Sequence, residues 1–486
     1  MMKIAVFADL HLTDNFGTVK DEVLEWALTE VRRQQADMLC LIGDLTAQGT
    51  TRQADRILDR IGKSGLPWCS TPGNAELRAG VAATEKRFDV PAPKTAGIVS
   101  VNTARNEPDP DELAKLAALP DGACFLLTTH NPVRNWSEAA RTAVRKAEQR
   151  RAVTAVIAGH SHHDEPGILR GLDPDKASGG PPMFSILSRE QGEWIRGDVV
   201  MPGVDPAEWE EAARAELRSM FGISAKSNPL DGLEFAFRNR IPHLELRFPL
   251  SDPESLTAPL ARWRKNGGRT LSLQLPSLTP RDDGGELRQA AECAVRLHCE
   301  RVTLQVPKVT AAKYPAEREH LLDRFAKDLE PVLKNKLTIG IENLHTHPEA
   351  RTDDRRNFGC TIEECRTWIE LLRERFAPAK IGFHMDLGHA RNNAPFSGRE
   401  NLSDYYCELG HLVNGWHFHQ VVQSKDGFLN HQKLTGFYDK LISLGGWFMA
   451  WRRGQLAPAP VFLEVRDMEE NKESYLRLME LLDTGH

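Results

Sequence analysis

The sequence predicts an α/β protein in two parts: a layered α/β domain over residues 1–203 and a (β/α)8 barrel over residues 222–486, joined by a linker helix at 204–221. Three observations lead there. At 486 residues the chain is too long for one hydrophobic core. Its first third alternates short β-rich runs with helical patterns, as a layered α/β sheet requires. From residue 221 the alternation restarts and runs eight times in about 265 residues, the size and period of a (β/α)8 barrel.

In order along the chain, "KIAVFAD" reads as a buried strand, and residues 18–35 carry apolar side chains at helical spacing. "ADMLCLIGD" is a second buried strand, and "TTRQADRILDRIGKSG" a helix that ends at Gly65. Strands follow at "GIVSVN", "ACFLLTTH" and "TAVIAGH", then a closing hairpin at "PPMFSILSRE" and "GEWIRGDVVMP". The loop at 171–182, "GLDPDKASGGPP", reads as the most flexible segment. Asp205 and Pro206 fit the N-cap and first position of the linker helix "DPAEWEEAARAELRSM". The barrel strands are "FGISA", "HLELRF", "LSLQLPS", "RVTLQVP", "LTIGIENL", "KIGFHMDLGH", "VNGWHFHQVV" and "PVFLEVRD".

Composition narrows the function classes. A hydrophobic content of 41% and a charged content of 27% are ordinary for a soluble protein. The net charge of −6 counts against a nucleic-acid binder that works by overall positive charge, and leaves a local basic groove open. The N-terminus lacks the pattern of a signal peptide, and no run of 18 apolar residues is present, so no membrane association is expected. The eight cysteines are scattered without a CxxC, as expected of free thiols in a reducing cytoplasm.

Polar residues gather where the predicted strands end. "FADLHLTD" places Asp9 and His11 on one side of a strand end, and "LIGDLT" puts Asp44 after the second strand. "PGNAE" supplies Asn74, "TTHNP" His130, and "AGHSHHD" His160 and His162. Carboxylate, imidazole and amide groups at adjacent strand ends suit Mn, Fe or Zn. The ordered set D-x-H, GD, GN, H, GHxH resembles the calcineurin-like metallophosphoesterases over roughly residues 1–203. That resemblance implies a four-layer α/β/β/α domain with two divalent transition metals. One would be held by Asp9, His11 and His162, the other by Asn74, His130 and His160, with Asp44 bridging. Asp44, Asn74 and His130 would serve the phosphoester chemistry. The family usually has a histidine after the asparagine, near the leaving group, where this chain has Ala75. A missing acid matters most for leaving groups of high pKa. Glu76, His163 and Asp164 are near enough in sequence to be considered as substitutes.

The barrel strands also end in metal-binding residue types. "IGIENLHTH" ends with Glu342, "FHMDLGHA" offers Asp386 and His389, "WHFHQ" places His417 and His419 on one face, and "FLEVRD" gives Glu464. Glu342, Asp386, His419 and Glu464 form a mixed oxygen and nitrogen set for one divalent ion, Mn, Zn or Mg. Glu464 could also simply pair with Arg466. Residues 222–486 resemble the xylose isomerase-like barrels, a superfamily of sugar isomerases, ketose epimerases and family 2 AP endonucleases, through "IEN", "DLGHA", "HFHQ" and "FLEVR". The resemblance implies that those four residues bind the metal, that Glu342 and Glu464 exchange a proton, and that His389 contacts substrate. His431, in "FLNHQKL", is either a second substrate contact or a surface loop residue. Glu245 and Arg247 either line the barrel mouth or form an ordinary strand pair. The endonuclease branch has further histidines on its second and third strands; here His243 precedes its strand, and Leu429 stands where that branch has an aspartate two residues before His431.

The expected function is therefore a metal-dependent phosphoesterase fused to an isomerase- or epimerase-like barrel for a carbohydrate-type substrate. Two alternatives stand beside it: a DNA or RNA repair nuclease, and a chain in which one domain is catalytically inactive and only binds or regulates.

Overall fold

The structure is a computed structural model that describes residues 2–80, 82–281, 284–345, 349–350, 352–397, 401–425 and 427–483. The chain divides into two compact units, Met1–Asp205 with Tyr438–Met449, and Pro206–Phe437 with Ala450–His486.

The first unit contains two sheets. Strands β1 (Lys3–Phe7), β2 (Met38–Ile42) and β3 (Trp68–Thr71) run parallel, and β1 also pairs antiparallel with β7 (Met183–Glu190), the inner strand of a hairpin with β8 (Glu193–Val200). The second sheet is parallel, with β4 (Ile98–Val101), β5 (Phe125–Thr129) and β6 (Val153–Ala158) in that order. Ile4, Val6, Cys40 and Ile42 of the first sheet share one buried cluster with Ile98, Leu126 and Ile157 of the second. The outer face of the second sheet buries Val101, Leu127 and Val153 against Trp136, Ala140 and Val144. On the other side, Phe7 and Phe184 pack edge to face, and Trp26 of helix Val19–Arg33 covers Phe184. The order of layers is helix, sheet, sheet, helix. Because the two sheets bury apolar faces on both sides, their strands read as continuous hydrophobic runs.

The second unit is a closed barrel of eight parallel strands: β9 (Phe221–Ser224), β10 (His243–Arg247), β11 (Thr270–Gln274), β12 (Arg301–Gln305), β13 (Thr338–Glu342), β14 (Ile381–Asp386), β15 (Val413–Phe418) and β18 (Val461–Leu463), with β18 closing on β9. Between β15 and β18 the chain forms a two-stranded ribbon, β16 (Gln420–Ser424) and β17 (Gly427–Gln432). The sequence reading ran β15 on through Val422. The barrel strand instead stops at Phe418, and the chain resumes as the ribbon from Gln420.

Two further expectations are corrected. Asp205 and Pro206 open only a 3-10 turn, Pro206–Glu208, and the helix proper is Glu211–Arg218 with Glu210 as its N-cap. The 171–182 loop is not loose. Leu172, Asp173, Asp175 and Ala177 are buried, and the ammonium of Lys20, itself fully buried, lies 2.9 Å from Asp173 Oδ2 and 3.8 Å from Asp175 Oδ2. The glycines and prolines that suggested flexibility serve close packing instead. Gly171 has φ +89, and a Cβ there would stand 2.8 Å from the Asp9 Cβ.

Candidate metal centres

The first centre forms where β1, β2, β5 and β6 end. The Nε2 atoms of His11 and His162 lie 3.3 Å apart, and His162 Nε2 is 3.9 Å from Asp9 Oδ1. On the other side, His130 Nε2 is 3.2 Å from His160 Nδ1 and 3.2 Å from Asn74 Oδ1. Asp44 lies between the two groups, with Oδ2 3.6 Å from His11 and Oδ1 3.3 Å from His130. Tetrahedral ligands about 2.0–2.1 Å from one ion stand roughly 3.3 Å apart. The spacing in both triads, Asp9–His11–His162 and Asp44–His130–His160, therefore fits atoms that converge on a shared cation. All seven residues named from the sequence are brought to this place.

Five of those residues have left-handed backbone: Asp9 (φ 53), His11 (φ 48), Asp44 (φ 50), His160 (φ 70) and His162 (φ 53). Non-glycine residues avoid this region, so surrounding contacts must hold it. Gly43 makes the turn before Asp44 possible: it has φ +84, and a Cβ there would stand 2.6 Å from Gly73 N. The Glu76 carboxylate accepts hydrogen bonds from Asp44 N (2.9 Å), Thr46 N (2.9 Å), Thr46 Oγ1 (2.8 Å) and Gly73 N (2.7 Å). Lys20 Nζ donates to His11 O at 3.3 Å.

Burial holds the His11 and His162 imidazoles well below their usual pKa, so both are neutral and have lone pairs to offer. Burial pushes Asp9 up to about 8. Burial opposes ionisation of Asp44 and of His130 alike, but each charge sustains the other. Asp44 stays below the carboxylate range, and His130 rises to about 9. A cation arriving here would replace the protons of Asp9 and His130.

Ala75 is fully buried and donates its backbone N–H to Asp44 Oδ1 at 2.7 Å. Two of the substitutes considered for a missing acid are committed elsewhere. Glu76 is the buried anchor just described, and Asp164 pairs with Arg196. His163 is exposed, and its backbone bridges Ser178. The sequence reading missed Arg78 and Lys176, whose positive charges act on His11 and His160 from the 3-10 turn at Ala75–Leu77 and from the buried loop.

The second centre is at the C-terminal end of the barrel. Asp386, His419, His431 and Glu464 place one ligand atom each within 4.8 Å of one another. His419 Nε2 is 3.1 Å from Asp386 Oδ1, and His431 Nδ1 is 3.3 Å from Glu464 Oε2. Glu464 Oε2 is buried and accepts no hydrogen bond of good geometry, a free lone pair that fits a cation. His431, its side chain 19% exposed, is therefore not a surface loop residue, and its ring lies among these metal-ligand-type atoms. It closes the ribbon with φ 60, and its N–H donates to His419 Nδ1 at 2.9 Å. Its cue was hidden because the ribbon has no barrel-strand pattern.

Glu342 takes a hydrogen bond from His417 Nδ1 at 3.0 Å and a long one of 3.4 Å from Gln274. His389 Nδ1 lies 3.4 Å from Asp386 Oδ2 and 3.8 Å from Glu342 Oε1. Below them is a buried polar layer that sequence reasoning misjudged. Glu245 is fully buried rather than part of an ordinary strand pair; it contacts His417 Nε2 at 2.5 Å and accepts from Ser272 Oγ and Thr303 Oγ1. Burial disfavours a charge on His417, but Glu464, Glu245 and Glu342 together hold it well above its usual pKa, as a buried imidazolium. Glu464 pairs with Lys226, Nζ to Oε1 2.9 Å, and not with Arg466.

No curated protein matches the chain. Among solved structures, its barrel half is similar to a probable 3-DHS dehydratase from Bacillus anthracis (13% identity, TM-score 0.40, covering 54% of this chain and 98% of that one). It is also similar to a xylose isomerase domain protein from Alicyclobacillus acidocaldarius (17% identity, TM-score 0.39, 53% and 94%). A dimetal phosphatase from Danio rerio is similar over 40% of this chain and 95% of its own (15% identity, TM-score 0.29). Residues 2–164 match the family model of the calcineurin-like phosphoesterases, and that span carries every residue of the first centre from Asp9 to His162, so this part of the chain is a calcineurin-like phosphoesterase domain.

Proposed function

We propose that the first centre hydrolyses phosphate esters at two divalent transition metals, and that the barrel acts on a carbohydrate-type small molecule at one divalent metal. The observation that carries the reading is Asp44, whose two oxygens face His11 and His130 at 3.6 and 3.3 Å between two triads of metal-ligand type. Asp9, His11 and His162 would hold one ion, Asn74, His130 and His160 the other, and Asp44 both; Mn, Fe and Zn suit these atoms. Two such ions supply Lewis acidity to a phosphate ester. The chain's own part is to keep His11 and His162 neutral by burial, to orient Asp44 through Ala75 N–H, and to present Arg78 and Lys176 as positive charges beside the site.

Ala75 has no proton to give, and Glu76 and Asp164 are committed elsewhere, so none of these three serves a leaving oxygen. The domain favours esters whose leaving group departs as an anion, such as aryl phosphates. In the barrel, Asp386, His419, His431 and Glu464 would hold the ion, with Glu342, expected from the sequence in the same set, and His389 beside it to contact the substrate. The net charge of −6 supports small-molecule substrates over nucleic acid.

A metal-supplemented screen of aryl and alkyl phosphomonoesters and phosphodiesters tests this on wild type, Asp44→Asn and Glu342→Gln. Loss with Asp44→Asn alone, on aryl esters before alkyl ones, is expected. Loss with Glu342→Gln alone would assign hydrolysis to the barrel and sink the reading. Metal uptake without hydrolysis of activated aryl diesters would assign the first domain a binding role.

A further inference from the structure

Lys226 follows β9, at the same end of the barrel as the metal-type cluster, and it has no part in the reading above. Its side chain is 12% exposed, and its Nζ is 2.9 Å from Glu464 Oε1. The two oxygens of Glu464 are thus divided: Oε1 faces the ammonium, and Oε2 faces His431 and His417, each at 3.3 Å, without a good hydrogen bond. An ammonium has three N–H donors. Among the described residues, Glu464 is the one partner recorded for Lys226, so it leaves two donors to be satisfied by something else.

Two buried cations inside the barrel, Arg301 and His417, are already engaged. Arg301 opens β12 at the opposite end of the strands, where its guanidinium meets Asn414 O at 2.5 Å and His384 Nδ1 at 2.8 Å. His417 is held between Glu245 and Glu342, at 2.5 and 3.0 Å. Lys226 lies at the C-terminal end of the strands, where barrels take their substrates, and it touches the metal-type cluster through Glu464.

We propose that Lys226 makes the barrel centre selective for an anionic carbohydrate, with a carboxylate or phosphate oxygen of the ligand taking the ammonium donors that Glu464 leaves. A neutral sugar hydroxyl can also accept from an ammonium, but an ionised oxygen does so about twice as strongly. Glu464 fixes the ammonium in place, so the ligand does not have to order a long flexible side chain on binding. This rests on reading Asp386, His419, His431 and Glu464 as a metal site.

The test uses the full-length, metal-loaded protein in an Asp44→Asn background. Metal content is measured first. Calorimetric titrations follow with an aldonate, an aldose phosphate and a neutral aldose, and are repeated after Lys226→Met and Lys226→Arg. The expected result is that at least one anionic sugar binds about tenfold or more tighter than the neutral one, the ratio of one hydrogen bond to a charged group. Lys226→Met should erase that preference with metal retained, and Lys226→Arg should keep part of it. Whichever anionic sugar binds more tightly names the group recognised. Equal binding of neutral and anionic sugars, a preference that survives Lys226→Met, or no binding of either anionic sugar by metal-loaded protein would overturn the proposal. A barrel that takes up no metal in the wild type would instead overturn the metal-site reading on which it rests.

Discussion

The two centres collect the same kinds of side chain at strand ends, but they position them by different means. In the first unit, five of the seven candidate ligands sit in left-handed backbone. In the barrel, Asp386, His419 and Glu464 have ordinary backbone, and only His431, on the added ribbon, has positive φ. A barrel strand aims its side chains inward by simple alternation. The layered unit instead uses tight turns, each left-handed residue costing on the order of 1–3 kcal/mol, and those turns persist only where neighbouring groups enforce them. The difference teaches where each centre is vulnerable: the first through residues that hold its loops, the second through the polar layer beneath its strands.

The largest effect is expected from Glu76→Ala. This change takes the acceptor from Asp44 N, Thr46 N, Thr46 Oγ1 and Gly73 N together. At about 1–3 kcal/mol for each buried donor left unsatisfied, the loss is several kcal/mol. Denaturant unfolding should show the first unit weakened. Metal analysis should show its ions lost while the barrel ion stays. Full metal content would show that the turns do not depend on Glu76.

Next is Lys20→Met. Asp173 and Asp175 would lose the Lys20 ammonium, leaving Asp173 only Lys176 at 3.8 Å, and His11 O would lose its donor. Breaking a buried pair in this way costs about 3–5 kcal/mol. A protease is expected to cut within 171–182 in the variant and not in the wild type. Unchanged resistance would mean that the loop is held by its backbone contacts alone. The barrel counterpart, Glu245→Gln, keeps the shape and removes the charge opposite His417. Ser272 and Thr303 can still donate to the amide oxygen, so the expected cost is smaller, about 2 kcal/mol. Barrel metal affinity should fall with it. If affinity is unchanged, the layer below is independent of the centre above.

Strand ends were legible because period and composition mark them. Each of Asp9, Asp44, His130, Asp386 and Glu464 follows an apolar run that can only be a buried strand. What stayed hidden depends on long-range partners. Glu76 looked like a spare acid beside Ala75, and nothing local shows that Asp44 and Thr46, some thirty residues upstream, bind it through their backbone. Glu245 could be read only as lining the mouth or pairing along its strand, because its partner His417 lies 172 positions away. The 171–182 loop looked flexible by composition, but Lys20 pins it, and Asp175 O accepts from Ser443 N at 2.9 Å. Glycine and proline content reports backbone freedom, not what packs against it. His431 was ambiguous because the ribbon that carries it replaces the expected run of helix after a barrel strand.

The smallest effect concerns His243, expected before its strand but in fact the first residue of β10, paired with Thr270 and Gly222, and it separates barrel stability from barrel chemistry. Its Nε2 faces Ser219 O at 2.9 Å, and burial pushes its pKa down to about 4, from 6.5 in an unfolded chain. The unfolded chain therefore takes up the proton first as pH falls. The contribution of His243 to stability is complete above pH 6.5, and it is lost progressively as the pH falls toward about 4. At pH 5.5 the loss is roughly 1.4 kcal/mol. His243→Gln should flatten the pH dependence of unfolding between pH 6.5 and 4 without changing metal content at either centre. A slope that survives the substitution would place the acid sensitivity elsewhere, with the buried His417 layer next to be tested.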